Sequence, residues 1–260
     1  MVRERRDVLA SLVHAAEESI RDGYYKVRPR RFVHRSLQLA IKNSQHVPVV
    51  AEIKFASPVV GRIRADGDVR NIAQAMERGG AAGISVLTEP KYFKGSLGYL
   101  SKVKESVKLP ILMKDIVIDP VQIEAGRAAG ADAVLLISSV FGEGYSKRDP
   151  RKLIDYAHVL GLEVLLETHS PTEFKGAMAG KADIVGINNR DLKSLQVSVE
   201  TSVSLLRRYK HAKTVICESG LTSPLEVRNL RSFGANGFLI GSSIMKSADI
   251  ESAVKSFTGA

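Results

Sequence analysis

This chain has almost no cysteine, no long apolar run and few aromatic residues, and each shortage removes a class of function. A single cysteine, Cys217, in 260 residues excludes an intramolecular disulfide framework and a thiolate metal cluster, and it agrees with a reducing, cytoplasmic location. No apolar run approaches the roughly 20 residues that a bilayer-spanning helix needs, so no membrane partner is expected. The opening stretch MVRERRDVLASLVHAAEES is charged and then amphipathic, without the apolar centre and small-residue cleavage site of a secretory signal. The most basic run, KVRPRRFVHR (26–35), has too few aromatics to form a base-stacking platform. The formal net charge of +10 is therefore read as a solvated basic arm, or as an attraction for a small anionic substrate, and no nucleic-acid partner is expected.

The chain does contain the rhythm of βα units. From residue 48 onward, short runs of Val, Ile and Leu alternate with longer amphipathic segments. Eight strands are predicted, at 48–54, 83–88, 110–115, 133–138, 163–168, 184–189, 214–219 and 237–242. Most are continuously apolar, as parallel strands covered on both faces are. A repeat supports the count: GGAAGISVLT (79–88), AGADAVLLIS (129–138) and AGKADIVGIN (179–188) recur about fifty residues apart, with FGANGFLIGS (233–242) as a displaced fourth copy. Each copy reads as a helix ending in glycine, a small-residue turn and a buried strand. An open doubly wound sheet would show a G-x-G-x-x-G fingerprint after its first strand, and none is there. The expected fold class is therefore α/β, a (β/α)8 TIM barrel over 48–260 with an N-terminal helical extension over 1–47, together one domain spanning 1–260. Within the extension, Val8, Leu9, Leu12, Val13, Ala16 and Ile20 predict an amphipathic helix over 5–22, and SLQLAIKNS (36–44) a second. The extension is read as structural packing, with closure over the active site as the alternative.

In such a barrel the chemistry belongs at the C-terminal strand ends. Polar residues gather there: Glu52 and Lys54, Thr88 and Glu89, Lys114 and Asp115, Ser138, Glu167, Asn188 and Arg190, Glu218 and Ser219, and Gly241 and Ser242. Glu52 and Lys54 lie two apart in VVAEIKFASP, so both point into the mouth. Buried Lys and Glu are costly unless paired. The ring is thus either a self-satisfying salt-bridge network or an acid–base site tuned by burial and neighbouring charges. ESGLTSP (218–224) and IGSS (240–243) follow the last two strands, where barrels bind phosphate through backbone N–H groups. In TEPKYFKGS (88–96), Tyr92 and Phe93 would either cover a flat substrate ring or simply pack.

Taken together, AEIKFASP, LTEPKYFKGS, ILMKD, GADAVLLI, EVLLETH, GINNRDL, ESGL and FLIGSS, in this order and spacing over about residues 48–245, resemble the indole-3-glycerol phosphate synthase family. The sequence itself leaves the oligomeric state open, with a monomer as the working expectation; the resemblance implies a carboxy-lyase of tryptophan biosynthesis that acts on 1-(2-carboxyphenylamino)-1-deoxyribulose 5-phosphate, with no metal and no organic cofactor. It implies Lys114 as the acid at the substrate carbonyl, Glu167 as base or cation stabiliser, Lys54 as anion binder and second acid with Glu52 as its partner, and Asn188 as a positioning group among the catalytic residues. Ser57, Phe93, Arg190, Glu218 and Leu239 fall on substrate-contacting positions, and Ser219, Gly220, Gly241 and Ser242 on phosphate-binding ones. Two features depart from the family pattern. Ile116 stands where many members have Phe, and the segment SSVFGEGYSKRDPRKL (138–153) is longer than in compact members. Two other readings are a phosphoribosylanthranilate isomerase, disfavoured by the set Lys54, Lys114 and Glu167, and a silent barrel that binds anions or RNA through 26–35.

Overall fold

Side chains alternate between the two faces of a strand, so a strand buried on both faces must feed two separate cores. The computed structural model describes residues 7–64 and 67–260 and shows both cores. Strands β1 (Val49–Ile53), β2 (Ala56–Ser57), β3 (Gly61–Arg62), β4 (Gly83–Leu87), β5 (Ile111–Lys114), β6 (Ala133–Ile137), β7 (Glu163–Thr168), β8 (Ile184–Asn188), β9 (Thr214–Glu218) and β10 (Gly237–Ile240) form in chain order. Eight of them close a parallel barrel in the order β1-β10-β9-β8-β7-β6-β5-β4, and all eight predicted strands are among them, with ends shifted by at most two residues. The short antiparallel pair β2 and β3 sits in the loop after β1 and was not predicted.

Inside the barrel, Val50, Leu112, Leu135, Leu165, Ile184, Ile216 and Leu239 form one apolar cluster. Their strand neighbours Ala51, Met113, Val134, Leu166, Val185, Cys217 and Phe238 face the surrounding helices in the other. The helices are α1 (Val8–Arg21), α2 (Leu37–Lys42), α3 (Val69–Arg78), α4 (Leu97–Ser106), α5 (Pro120–Ala129), α6 (Ser138–Gly142), α7 (Pro150–Val159), α8 (Pro171–Ala179), α9 (Glu200–Arg208), α10 (Pro224–Ser232), α11 (Ser242–Met245) and α12 (Ile250–Thr258). The repeated helix–glycine–strand turn is clearest after α5, where Gly130 takes φ 100° and returns its N–H to the carbonyls of Arg127 and Gly126. Among the described residues no helix is long and apolar enough to cross a membrane.

The N-terminal extension packs against both ends of the barrel. Leu37 and Ile41 of α2 plug the N-terminal end, against the first residues of β4 and β10. A Cβ on Gly83 would stand 2.6 Å from Leu37 Cδ1, and one on Gly237 would stand 3.3 Å from Ile41 Cγ2. Ser36 and Gln38 hold the Glu163 carboxylate at the start of β7. Helix α1 lies at the opposite end, where Leu9, Leu12, Val13 and Ala16 cluster with Ile116, Ile118 and Val140. Residues 5 and 6 of the predicted helix lie outside the described residues.

Between the helices, Tyr24 donates to the Thr88 carbonyl (2.8 Å) and Tyr25 to Asp115 Oδ1 (3.1 Å). The basic run then passes down the barrel wall, pairing Arg30 with Glu105 at 2.5 Å. It ends at Asp132, a buried carboxylate at the foot of β6 that accepts from Lys104 Nζ (2.5 Å), Ile111 N (2.7 Å) and Arg35 N (2.9 Å). Removing it leaves a buried ammonium without its partner. Asp132→Ala should therefore lower unfolding free energy by about 3–5 kcal/mol in urea titration, and a loss under about 1 kcal/mol would mean the cluster contributes little.

Candidate active site

The inward parity that builds the inner core also selects the mouth residues. Glu52, Lys114, Glu167, Asn188 and Glu218 are the last or next-to-last residues of β1, β5, β7, β8 and β9, each an even number of positions beyond an inward apolar residue. They surround a cavity of about 280 Å³, and every candidate site residue of the sequence lines it: these five with Lys54, Ser57, Phe93, Arg190 and Leu239, and Ser219, Gly220, Gly241 and Ser242.

The charges are closely coupled. Lys114 Nζ donates to Glu218 Oε2 at 2.6 Å and lies 3.4 Å from Glu167 Oε2. Lys54 Nζ donates to Glu52 Oε1 at 2.5 Å. Asn188 Nδ2 donates to Glu167 Oε1 at 2.7 Å, and its own Oδ1 accepts from Arg190 N at 2.9 Å, so the amide turns the Glu167 carboxylate towards Lys114. Burial disfavours the Lys114 ammonium, but Glu218, Glu167 and Glu52 together outweigh it and hold the group above its ordinary range. Burial acts on Glu52 in the same sense as on any carboxyl, yet Lys54 and Lys114 prevail and keep it below its usual value. Glu218 goes the other way: burial, helped by the Glu167 charge, raises it to about 7 despite Lys114. Burial holds the Arg190 guanidinium below its ordinary range.

A self-satisfying network is not what forms. Three carboxylates face two ammonium groups, and Glu218 Oε1 is buried with no hydrogen-bond partner among the described residues. Such an atom costs stability. Its presence marks a site organised around something other than the folded chain alone.

Two unlike walls face each other across the ring. On the β5 and β6 side, Ile116, Leu135 and Ile137 join Phe93 and, from α1, Val8 and Leu12 in an apolar surface. Diametrically opposite are the loops after β9 and β10. There Ser219 (φ 67°) and Gly220 (φ 75°) both adopt the left-handed conformation, which costs a serine about 1–3 kcal/mol and is characteristic of functional sites. Helix α10 closes its own N-terminus with a Ser223–Glu226 capping box, but α11 starts at Ser242 with no side-chain cap. Ser243 Oγ donates to the Leu221 carbonyl at 2.7 Å and ties the two loops together.

The remaining strand-end polar residues hold the loops. Glu89 accepts from the N–H groups of Lys91, Tyr92 and Phe93, which turns Phe93 into the cavity and leaves Tyr92 towards solvent. Asp115 has opposite parity to Lys114 and binds Thr88 Oγ1 (2.5 Å) and Tyr25, and burial raises its carboxyl to about 6. Ser138 begins α6. The sequence reading left open whether the extension reaches the site and named no α1 residue in it, and it missed Val59 and Val60 from the hairpin loop. A helical stripe shows that a helix packs but not on which end of the barrel, and two-residue strands carry no periodicity. Of the two departures, Ile116 lines the apolar wall, and the longer segment places Tyr145 so that its hydroxyl donates to Asp7, the N-cap of α1.

A family model described as indole-3-glycerol phosphate synthase matches residues 1–257. Indole-3-glycerol phosphate synthase of Campylobacter fetus is 39% identical over 228 residues, covering 88% of this chain and 87% of that one. The Lactococcus lactis enzyme of the same name is 42% identical over 214 residues, 82% of this chain and 80% of its own. Among solved structures, an N-acetylmannosamine-6-phosphate 2-epimerase from Clostridium perfringens superposes with a TM-score of 0.59 at 17% identity, covering 82% of this chain and 93% of that one. A thiamine phosphate pyrophosphorylase from Pyrococcus furiosus does so with 0.59 at 16%, covering 82% and 94%. At that identity the likeness concerns the fold.

The Glu218 carboxyl gives the cavity a pH dependence. Raised to about 7, it is neutral below that pH and adds a negative charge as pH rises through it. Sulfate, a dianion throughout, should therefore bind more weakly at pH 8 than at pH 6 in calorimetric titration, and Glu218→Gln should flatten the difference. Equal affinities in the unaltered protein would remove Glu218 from the electrostatics of anion binding.

Proposed function

The chain belongs to the indole-3-glycerol phosphate synthase family, and from that premise we propose how the ring of charges divides the reaction. The enzyme is a carboxy-lyase of tryptophan biosynthesis that converts 1-(2-carboxyphenylamino)-1-deoxyribulose 5-phosphate into indole-3-glycerol phosphate, carbon dioxide and water. The observation that carries the assignment of roles is the Lys114 ammonium, held between Glu218 and Glu167 and facing an apolar wall.

In this reading the two walls orient the substrate. Its phosphate sits at Ser219, Gly220, Gly241 and Ser242, and the uncapped N–H groups at the start of α11 favour the negative charge. Its aromatic ring lies on Phe93, Ile116 and the residues of β6. The sugar chain then spans the charges, with Ser57, Leu239 and Arg190 bounding it.

Carbon–carbon bond formation joins the ring carbon bearing the carboxylate to the sugar carbonyl carbon, and Lys114 gives its proton to the carbonyl oxygen. The carboxylate leaves as carbon dioxide, and the electron pair of the broken bond restores the aromatic ring. The new hydroxyl then departs as water with a proton from Lys54, while Glu167 takes a proton from the neighbouring sugar carbon to form the indole double bond. Two protons enter and one returns, so each turnover draws one from solvent, as conversion of a carboxylate to neutral carbon dioxide requires. Glu167 lies near enough to Lys114 to hand its proton back. Asn188 keeps Glu167 turned towards the acid, and Glu52 keeps Lys54 in place. Every step is acid–base or bond-forming chemistry, each acid or base contributing on the order of 10²- to 10⁴-fold, and no cofactor enters.

The reading extends to one cytoplasmic domain acting as a monomer. Cys217 is buried and unpaired, and of the exposed apolar residues Val33 lies in the segment between α1 and α2, Val159 on α7 and Leu225 on α10. Light scattering that reads two chains per particle would overturn the monomer.

Mixing the protein with the carboxyphenylamino sugar phosphate should produce indole fluorescence. Lys114→Ala should lower kcat by about 10²-fold or more while circular dichroism stays native, and near-normal turnover would displace Lys114 as the acid. Glu167→Gln should lose rate with KM little changed. A raised KM at unchanged kcat would move Glu167 from chemistry to recognition.

A further inference from the structure

Glu218 reaches Lys114 by leaning across the barrel, and the residue beneath it is Gly186. This glycine is the inward position of β8 between Ile184 and Asn188, in register with Glu167 on one side and Ile216 on the other. It lies within the strand and outside the left-handed region, so its backbone does not demand glycine. The space above it does. A Cβ on Gly186 would overlap Glu218 Oε1 and stand 3.3 Å from Leu165 Cδ1. The strand cannot simply draw back, because the Gly186 carbonyl accepts from Thr168 Oγ1 of β7 at 2.7 Å and both faces of β8 are buried. The end of the Leu165 side chain can give by a few tenths of an ångström. The carboxylate is the far end of a side chain and can turn, but its other oxygen sits 2.6 Å from Lys114 Nζ, so a turn that clears the new Cβ changes that contact.

We propose that Gly186 is a positioning residue of the reaction, whose bare backbone seats the Glu218 carboxylate against Lys114 Nζ. This rests on the reading of Lys114 as the acid. The arrangement recurs on the other lysine: a Cβ on Gly241, beyond the end of neighbouring β10, would overlap Glu52 Oε1, the atom that binds Lys54. Each ammonium is thus held by a carboxylate that lies over a glycine of the adjacent strand. Gly241 also borders the phosphate loops, so Gly186 provides the cleaner test. The same seat accounts for the unpartnered Oε1: packed on a Cα, it meets no donor among the described residues, and burial raises the carboxyl to about 7.

The test is Gly186→Ala in the full-length enzyme, assayed beside the unaltered enzyme, Glu218→Ala and the double variant Gly186→Ala/Glu218→Ala. The single alanine should lower kcat by about 10- to 100-fold with KM within about threefold, as loss of a group acting on the chemical step does. It should also displace the limb that Glu218, raised to about 7, is expected to contribute to the pH–rate profile of the unaltered enzyme. In the Glu218→Ala background, where the seat is vacant, the same alanine should change kcat by less than about threefold, since the two residues act through one contact. If Gly186→Ala alone does not fold, the double variant carries the test: it should fold and match the turnover of Glu218→Ala. Unchanged kcat and pH profile in Gly186→Ala would overturn the inference, as would an equal loss with and without Glu218, which would show a packing role only. No turnover in the unaltered enzyme would instead overturn the functional reading and the inference with it.

Discussion

The hydrogen bond from Lys114 to Glu218 is the interaction on which the site depends. Its two ends come from β5 and β9, which lie half a circuit apart in the barrel order, so a bond of 2.6 Å crosses the mouth from one side to the other. Only a closed sheet with fixed register can hold two such strands at that span. The same closure brings Glu167 alongside and presents Asn188 to it. Removing these charges from water is unfavourable in itself. The expense is borne by the apolar layer directly below, where Leu112, Leu165, Ile184 and Ile216 fill the interior.

Neighbouring charges sort two buried carboxylates, Glu52 and Glu218, into unlike states although they share one cavity. Glu52 has Lys54 in contact and Lys114 nearby, and stays ionised. Glu218 has Lys114 too, but also lies near Glu167 and has one oxygen out of reach of any donor, so it titrates near neutrality. A single ring can in this way carry a permanent counter-ion and a group that changes charge in the working range. The apolar wall of Phe93, Ile116, Leu135 and Ile137 sharpens the contrast, since a low-dielectric neighbour strengthens every interaction of the ring.

Much of this was legible in the chain, for identifiable reasons. Parallel strands buried on two faces must be written as apolar runs, so eight runs gave eight strands. The two-residue step from Glu52 to Lys54 announced a shared direction, whereas Lys114 and Asp115 were read together and only the structure separates them, Lys114 to Glu218 and Asp115 to Thr88 and Tyr25. The loops were less legible because their conformations are set by single long-range contacts. Glu89 folds the segment that delivers Phe93, and Tyr145 reaches back to Asp7 across the chain. Neither contact leaves a periodic trace. The amphipathic stripe of α1 specified a buried face, but its partner is an irregular rim of Ile116, Ile118 and Val140, which no repeat pattern reveals.

The position of α2 also bears on how the protein is made. Leu37 and Ile41 emerge early from the ribosome, yet the surface that covers Ile41 includes Gly237, at the head of the final strand. Until that strand is in place the plug has no complete socket, although Leu37 already has its partner at the head of β4. Long-separation contacts of this kind slow folding and expose the nascent chain to aggregation. Although α2 precedes every strand of the barrel in the chain, its seat is complete only once β10 has joined the sheet.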